Sequence, residues 1–388
     1  MTLPRVAVVS DFLEERWASM DLVAEMLVTH LGREHSATVE VCQLQPRMAS
    51  WMRGLPLGGS SRVAYNIDRF IGRYWDYPRS LGQVKKKFDI FHIVDHSYAQ
   101  LVHQLPADRC VVTCHDLDAF RSVLRPDVER RSWMFRCLMR HVLRGLRGAA
   151  KLTCDSESTR QEVLAYELCS PERVVVVPNG VDTVFSSRPE PNCDAAADRL
   201  LGARNSGAVE ILHVGSTVPR KRIDVLLHAF ASLRKEFPQA RLVRVGGPFT
   251  AEQEALVSRL GLNGAVAILP VLSREVLAAV YRRALVVVQP SEREGFGLPV
   301  LEAMACGTPV VASDLAVLRE VGDGAVTYCP VADISAWNTA VGQLLLEHER
   351  EPEEWIGRRE LGIRQASKFS WTEYARKMVE VYRELLGA

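Results

Sequence analysis

The 388-residue sequence lacks an excess of either charge, because 48 Lys and Arg residues face 47 Asp and Glu residues and the formal net charge is +1. This balance does not suggest a nucleic-acid binder. No apolar stretch approaches the roughly eighteen residues that a membrane-spanning helix needs, and Met1 to Arg5 leads directly into an apolar run. We therefore expect a cytoplasmic globular enzyme with neither a signal peptide nor a transmembrane segment.

The nine cysteines lack the spacing of a zinc site and are odd in number. Several lie inside apolar runs, as Cys110, Cys114 and Cys306 do. They are typical of buried thiols in a reducing cytoplasm. The sequence predicts no metal and no cofactor.

Short Val-rich runs alternate with helical patterns, which is typical of parallel sheets covered on both faces. In the first half the predicted strands are Val6–Ser10, Val39–Leu44, Ile90–Val94, Val111–Cys114, Leu152–Cys154 and Val174–Val177. In the second half they are Ile211–Val214, Leu242–Val245, Val266–Leu269, Val286–Val288, Val310–Ala312 and Val326–Tyr328. We predict an α/β protein of two Rossmann-like domains facing across a cleft, 1–185 and 207–370, with a linker over Ser186 to Ser206.

The segment PSEREGFGLPVLEAMACGTPVVAS, residues 290–313, is the most informative part of the chain. It predicts a strand end, a loop flanked by glycines, and a short helix with Pro299 in its first turn and Gly307 at its end. Glu294 and Glu302 would be two fixed carboxylates, and the N–H groups of Gly295 to Leu298 would point outward at the helix N-terminus. Such a loop suits a polyhydroxylated or anionic ligand. An ordinary strand–helix turn with solvated glutamates is the alternative.

Three stretches, EGFGLP, LEAMACGTPVVAS and LVVVQPS, resemble the E-x7-E signature of retaining, nucleotide-sugar-dependent glycosyltransferases of the GT-B fold. The resemblance implies that Glu294, Gly295, Phe296, Gly297 and Leu298 bind the donor hexose, and that Glu302 binds the ribose. A carboxylate that accepts from a vicinal diol makes charge-assisted hydrogen bonds. The resemblance also implies that the amphipathic segment Trp371 to Leu386 crosses back and packs on the N-terminal domain, so that residues about 371–388 belong to it.

A second similarity lies in HVGSTVPRKRIDVLLHAF, where a strand leads through a loop into a helix near Arg222. The resemblance assigns Arg220 and Lys221 to the donor diphosphate, whose charge grows as the glycosidic bond breaks. Many relatives carry Gly-Arg at the start of this loop, whereas Gly215 is followed here by Ser216. Phosphate binding would therefore depend on Arg220 and Lys221. Without the downstream motif, an Arg-Lys pair at a helix start is usually a solvated face.

The N-terminal half contains VVTCHDLDAF, a strand that ends in His115 and Asp116. By resemblance, His115 touches the transferred sugar or steadies the acceptor, and Asp116 orients the imidazole or the incoming hydroxyl. A structural histidine at a strand end is the alternative. Asp116 and Asp118 also match D-x-D, a metal-binding pattern of another glycosyltransferase fold. We discount a metal site here because Arg220 and Lys221 already supply the positive charge for the diphosphate.

The acceptor side is less clearly marked. Where many relatives have a Gly-Gly turn after the first strand, this chain has DFLEERWASM, which makes Trp17, Ser19 and Met20 candidates to line the acceptor pocket. Residues 47–87 contain nine Lys and Arg residues against two Asp, interleaved with aromatics. This mixture suits an anionic membrane surface or a lipid-diphosphate acceptor, and also nucleic acid, although a solvated, partly packed face is the commonest explanation.

These patterns predict a retaining, metal-independent hexosyltransferase. It would move a hexose from GDP-mannose or a UDP-hexose to a hydroxyl of a glycan or lipid-linked acceptor, in bacterial cell-surface polysaccharide or glycolipid assembly. Two alternatives stay open. Glu294 and Glu302 could act as the acid and base of a glycoside hydrolase, or the chain could be a non-catalytic nucleotide-sugar-binding protein.

Overall fold

All twelve Val-rich runs form strands in the computed structural model, which describes residues 3–53, 61–202 and 209–387. The strands form two parallel sheets of six, so the α/β prediction is confirmed and the strand bounds differ by at most two residues. The chain divides into two units. Unit 1 comprises Met1–Gly180 and Trp371–Ala388, and unit 2 comprises Val181–Ser370.

The sheet of unit 1 has the strand order β2-β1-β3-β4-β5-β6. Its strands are β1 (Arg5–Val9), β2 (Glu40–Leu44), β3 (Ile90–Ile93), β4 (Cys110–Cys114), β5 (Lys151–Cys154) and β6 (Val174–Val176). Its α-helices are α1 (Ala18–Glu34), α2 (Arg62–Ile71), α3 (Tyr77–Val84), α4 (Arg121–Leu124), α5 (Trp133–Gly148), α6 (Glu157–Ala165) and the last helix (Trp371–Leu386). A π-helical turn, Gly72–Asp76, joins α2 to α3.

Successive residues of β1 enter opposite faces of this sheet. Val6 and Val8 join the apolar core that also contains the last helix, whereas Ala7 and Val9 join the core beneath α5. Side chains alternate along a strand, so a strand buried on both faces reads as a continuous apolar run. This is why the sequence marks these strands so clearly.

The helix Trp371–Leu386 lies in unit 1 and buries Tyr374, Met378 and Tyr382 in the same core as residues of α1. The Tyr382 hydroxyl lies 2.7 Å from Nδ1 of His92, whose Nε2 lies 2.7 Å from the hydroxyl of Thr113. Burial lowers the pKa of His92 to about 3. A neutral histidine therefore links the last helix to β3 and β4 through hydrogen bonds.

Unit 2 has the strand order β12-β11-β10-β7-β8-β9. Its strands are β7 (Val209–Val214), β8 (Ala240–Val245), β9 (Val266–Leu269), β10 (Val286–Gln289), β11 (Val310–Ser313) and β12 (Val326–Cys329). Its α-helices are α7 (Pro191–Leu201), α8 (Ile223–Leu233), α9 (Ala251–Arg259), α10 (Arg274–Arg283), α11 (Leu298–Ala305), α12 (Ala316–Gly322), α13 (Ile334–Arg350) and α14 (Pro352–Ala366). In chain order, the helix Trp371–Leu386 of unit 1 is α15. Each face of the sheet carries its own apolar core.

The predicted linker over Ser186 to Ser206 is wrong for the residues that form α7. This helix buries Ala197 and Leu201 in a core of unit 2, and its Asp194 lies 2.6 Å from Arg282. Pro, Asn and Asp suggested a loop, but Pro is tolerated in the first turn and the alanines favour a helix. Residues 203–206 and the predicted domain start at 207 lie outside the described residues.

In the described part of the chain, we find no helix with both the length and the apolar character needed to span a bilayer.

Candidate active site

Two loops of unit 2 meet where the neighbouring strands β7 and β10 end. After β7 the chain makes a short turn, Pro219–Lys221, and after β10 it passes through residues 290–297 before α11. The N–H of Glu292 donates to the carbonyl of Arg220 at 2.8 Å, which ties the two loops together. The carboxyl ends of parallel strands are where open α/β sheets bind ligands.

Glu294 is held by positive charge from the β7 loop. Its carboxylate oxygens lie 2.6 Å from Nζ of Lys221 and 3.4 Å from Nη1 of Arg220, and the amide of Gln289 donates to it at 2.8 Å. Burial opposes its ionisation, but Lys221 and Arg220 lower the pKa of Glu294 to about 2. Glu294 is therefore a buried carboxylate at any physiological pH.

The turn before α11 depends on glycine. Gly297 has a φ of 101°, and a Cβ there would lie 2.6 Å from Leu318. Phe296 buries its ring against Phe369, with the ring centroids 5.9 Å apart, so that only its main chain is available to a ligand. Leu298 opens the helix, where the first N–H groups have no intrahelical acceptor. The structure thus places the predicted amide-lined loop at a helix N-terminus.

Glu302 lies on α11 and is nearly buried. The hydroxyl of Tyr281, on α10, donates to its Oε2 at 2.8 Å. Burial raises the pKa of Glu302 to about 7, although the Tyr281 hydrogen bond acts in the opposite direction. Glu294 and Glu302 therefore have very different proton affinities, because the pKa of Glu294 is lowered and that of Glu302 is raised.

The sequence predicted separate roles for Lys221, at the diphosphate, and Glu294, at the sugar. It did not predict that the two groups form an ion pair. Gly215 lies beside them, since a Cβ at Gly215 would be 3.6 Å from Cε of Lys221. The roles of Arg220, Lys221, Glu294, Glu302 and Gly215 toward a donor stay predictions.

In unit 1, the prediction that Asp116 orients the His115 imidazole is wrong, because Asp155 does so. Nδ1 of His115 lies 3.0 Å from a carboxylate oxygen of Asp155, and Nε2 lies 2.8 Å from the carbonyl of Val94. Both partners only accept hydrogen bonds, so both ring nitrogens must carry protons. Burial disfavours this charge, but the hydrogen bond and charge of Asp155 raise the pKa of His115 to about 9.

His115 is therefore a buried imidazolium whose two N–H groups are both engaged. Its role at the transferred sugar stays a prediction, but the ring has no further N–H to offer. Asp155 was missed because it lies 40 residues away along the chain. The signal was its position directly after β5, the strand next to β4 in the sheet.

Asp116 instead faces His96. The N–H of His115 donates to Nδ1 of His96 at 3.3 Å, so the proton of a neutral His96 sits on Nε2, which lies 3.7 Å from Oδ1 of Asp116. The side chain of Asp116 is 26% exposed, in contrast to the buried Asp155. Asp116 is thus a partly exposed carboxylate at this edge.

Further acids mark the same edge of the unit 1 sheet. Asp11 follows β1 and Asp95 follows β3, and both are buried. Burial, together with the charge of Asp95, raises the pKa of Asp11 well above its ordinary value. Neither residue was singled out from the sequence, although each stands just beyond an apolar strand.

The acceptor-side candidates lie at the start of α1. Trp17 is half exposed and donates its indole N–H to Glu15 at 3.0 Å. Ser19 is exposed and Met20 is partly buried in the first turn. The acceptor role of Trp17, Ser19 and Met20 stays a prediction. Among the described residues, no group of three or more His, Cys, Asp or Glu side chains could hold a metal ion, Asp116 and Asp118 included.

Comparisons with known proteins agree with this architecture. The family model "Glycosyltransferase Family 4" matches residues 23–185, and the model "Glycosyl transferases group 1" matches residues 201–358. The first match contains strands β2 to β6 of unit 1, and the second contains strands β7 to β12 of unit 2. The chain has the GT-B fold, and a glycosyltransferase family model matches each of its two units.

Among its relatives is a protein of Kineococcus radiotolerans named D-inositol 3-phosphate glycosyltransferase, 35% identical over 61% of this chain and 57% of its own length. A protein of the same name from Xylanimonas cellulosilytica is 38% identical over 55% of this chain and 52% of its own length. The chain thus spans little more than half the length of these curated relatives.

Solved structures show the same fold. Sucrose-phosphate synthase from Thermosynechococcus elongatus superposes with a TM-score of 0.75 at 21% identity, over 99% of both chains. WaaG, a glycosyltransferase involved in lipopolysaccharide biosynthesis, superposes with a TM-score of 0.71 at 16% identity, over 97% of this chain and 99% of its own.

Proposed function

We propose that the protein is a retaining hexosyltransferase that uses a nucleoside-diphosphate sugar. The observation that carries the proposal is the contact of Lys221 and Arg220 with Glu294 at the carboxyl ends of β7 and β10. These three side chains combine donors for a diphosphate with an acceptor for sugar hydroxyls.

In the proposed reaction, the bond between the anomeric carbon and the diphosphate oxygen breaks as the acceptor oxygen forms its bond on the same face. The departing phosphate oxygen takes the acceptor proton. Lys221 and Arg220 stabilise the charge that develops on the diphosphate, so that no metal ion is needed. Glu294, ionised because of the same two cations, accepts hydrogen bonds from the hexose.

The remaining donor contacts in the proposal are those that the sequence resemblance implies for α11 and the loop before it. Glu302 would accept from the ribose diol, and the N–H groups of Gly295 to Leu298 would face the hexose. The base and the sugar of the donor are left open between GDP-mannose and UDP-hexoses.

On the acceptor side, we propose that Asp116 receives the incoming hydroxyl, because it is a partly exposed carboxylate that directly follows strand β4 and His115. The acceptor would be a glycan or a lipid-linked sugar of cell-surface polysaccharide or glycolipid assembly. The printed name of the relatives adds a second candidate, a phosphorylated polyol such as inositol 3-phosphate.

We also propose peripheral contact with an anionic membrane at the cytoplasmic face. Of the basic residues in 47–87, Arg53 pairs with Asp68 and Arg69 with Glu15, so these are internal contacts. Yet α2 exposes Val63, Ile67 and Phe70 along one face. Exposed apolar side chains that lie near basic residues suit contact with the interface of a charged bilayer.

The start of α5 is a second segment with exposed apolar side chains. Trp133 is 77% exposed and Met134 69% exposed, and residues 130–148 contain six arginines and neither Asp nor Glu. The rings of Tyr74 and His141 lie 6.3 Å apart, which connects the π-helical turn after α2 to α5. We call Val63, Ile67, Phe70, Trp133, Met134 and Phe135 the exposed apolar surface.

A glycoside hydrolase is the alternative that one observation favours. The pKa values of Glu294 and Glu302, about 2 and about 7, are separated in the manner of an ionised carboxylate and a general acid. However, Lys221 and Tyr281 already occupy these two carboxyl groups, which suits binding roles better.

The test is release of nucleoside diphosphate from UDP-glucose, UDP-galactose and GDP-mannose, with EDTA present. Each donor is incubated with a lipid-linked sugar, with inositol 3-phosphate, and with no acceptor. We expect one donor to be turned over, with release at least tenfold faster when the right acceptor is present. Cleavage of an aryl glycoside without any nucleotide would support the hydrolase, and a strict requirement for Mn²⁺ or Mg²⁺ would contradict metal independence.

A further inference from the structure

An arginine lies buried at the end of β8, beside the proposed diphosphate site. Arg244 is fully buried, and it stands in register with His213 on the neighbouring strand β7. Its guanidinium lies over the ring of Phe249, 5.0 Å from the centroid. The sequence alone gave no reason to select it.

Arg244 joins the loops that follow β7 and β8. It donates to the carbonyl of Gly215 at 2.9 Å and also to the carbonyl of Gly247. The two loops are in close contact, because a Cβ at Gly246 would lie 2.1 Å from the Gly215 carbonyl oxygen. Gly215 therefore sits between Arg244 on one side and the methylene chain of Lys221 on the other.

The charge of Arg244 is not balanced within the described residues, where it forms no ion pair with any carboxylate. Its two acceptors are neutral carbonyls. Arginine keeps its proton in proteins, and an unpaired buried cation is costly. Lys221 adds a second cation, and Glu294, the carboxylate bonded to it, is also contacted by Arg220.

His213 does not supply the missing negative charge, but it also adds no positive one. It is fully buried, and burial together with Lys221 and Arg244 lowers its pKa to about 3. Neither ring nitrogen has a hydrogen-bond partner among the described residues. A neutral imidazole thus separates two cations beneath the Gly215 loop.

We propose that Arg244 is a positioning residue for the donor diphosphate, holding the Gly215 and Gly247 loops together and adding a buried positive charge that the diphosphate balances. The inference rests on the proposed function, because it takes the ligand to be a nucleoside diphosphate. In this role Arg244 does not need to touch the reacting atoms.

The test is calorimetric binding of UDP, GDP and inorganic pyrophosphate to the full chain and to Arg244→Met, Arg244→Lys and Arg241→Met. Arg241 lies at the other end of the same strand, where it donates to the carbonyl of Leu201 at 2.6 Å. Arg241→Met therefore controls for the loss of an arginine from β8. Thermal unfolding confirms that each variant is folded.

We expect Arg244→Met to weaken binding of the preferred nucleoside diphosphate by roughly tenfold or more, because the variant loses a buried charge and the hydrogen bonds that hold the two loops in place. Arg244→Lys keeps the charge but loses the fork that reaches both carbonyls, so it should restore part of the affinity while kcat stays low. Arg241→Met should bind as the unchanged protein does.

Unchanged affinity in both Arg244→Met and Arg244→Lys would overturn the inference while leaving the proposed function intact. If Arg244→Met does not fold, equal affinity and equal kcat in Arg244→Lys would overturn it. Failure of the unchanged protein to bind UDP, GDP or pyrophosphate would instead contradict the proposed function, and this inference with it.

Discussion

The ammonium group of Lys221 lies 2.6 Å from a carboxylate oxygen of Glu294, 73 residues further along the chain. A group proposed to bind the leaving diphosphate and a group proposed to bind the hexose thus form an ion pair with each other. A bound donor would give each of them a new partner, because the diphosphate competes for Lys221 and the sugar hydroxyls for Glu294.

The first prediction concerns turnover. Lys221→Met should lower kcat by about a hundredfold or more, the range found when a preorganised donor to a developing charge is removed. Steady-state release of nucleoside diphosphate measures the effect. Lys235→Met, which removes an exposed lysine from the same unit, is the control and should retain full activity.

Lys221→Met also breaks a buried ion pair and leaves the charge of Glu294 less well balanced. Breaking a buried ion pair lowers the free energy of unfolding by about 3 to 5 kcal/mol. The double variant Lys221→Met with Glu294→Gln should recover part of the lost stability but none of the lost turnover. Normal turnover in folded Lys221→Met would remove Lys221 from the reaction.

The second prediction is that Glu302 makes the protein less stable as the pH rises. Burial raises the pKa of Glu302 from 4.5 to about 7, so the folded protein holds a proton that the unfolded chain releases. This difference in proton binding contributes fully to the free energy of unfolding below pH 4.5, and its contribution is lost as the pH rises through 7. Glu302→Gln removes this titration and keeps an acceptor for Tyr281.

Between pH 4.5 and pH 8, Glu302→Gln should therefore gain about 3 kcal/mol of unfolding free energy relative to the unchanged protein. Urea unfolding of both proteins at the two pH values measures the difference. An identical pH dependence in the two proteins would show that Glu302 titrates normally.

The third prediction concerns His115. In histidine NMR titrations, one buried imidazole should titrate near pH 9 in the unchanged protein. Asp155→Asn should lower this pKa, because burial is then opposed only by the Val94 hydrogen bond and the charge of Asp95. Asp116→Asn, the matched control, should leave it in place. A shift in Asp116→Asn and none in Asp155→Asn would contradict the observed hydrogen bonding.

The strands could be read from the sequence because each is buried on both faces and is therefore a continuous apolar run. The helix start at Leu298 and the turn at Arg220 and Lys221 were also marked locally, by glycine, proline and charge. The pairings of His115 with Asp155 and of Lys221 with Glu294 join residues on different strand ends. No local pattern specifies which carboxylate a distant cation meets.

The missed helix α7 and the missed Arg244 have different causes. In α7, Pro, Asn and Asp outweighed a short alanine run in the sequence pattern. Arg244 occupies a strand position where an apolar residue was expected, and its acceptors are backbone carbonyls that every residue carries. The role proposed for Arg244 depends on the close approach of the Gly215 and Gly247 loops.

The fourth prediction concerns the exposed apolar surface. Replacing Trp133, Met134 and Phe135 by serine should weaken binding to phosphatidylglycerol vesicles by at least about tenfold, since burying each large side chain is worth about 1.5 to 3 kcal/mol. Co-sedimentation measures the bound fraction. The control replaces Ile356 and Leu361, exposed on α14 of unit 2.

Equal binding by the triple variant and the control would contradict a membrane role for this surface. Equal binding to neutral phosphatidylcholine and to phosphatidylglycerol would contradict the role of the α5 arginines, because their attraction requires anionic lipid.

The most direct test of the proposed donor site is calorimetry of the preferred nucleotide sugar and of its free nucleoside diphosphate, with Glu294→Gln and Glu302→Gln. Glu302→Gln should weaken both ligands by roughly ten- to a hundredfold, because both contain the ribose. Glu294→Gln should weaken the nucleotide sugar alone, and should bind the nucleoside diphosphate as tightly or more tightly, because Lys221 is released from its ion pair. Equal loss of nucleoside diphosphate affinity in both variants would contradict the assignment of Glu294 to the hexose.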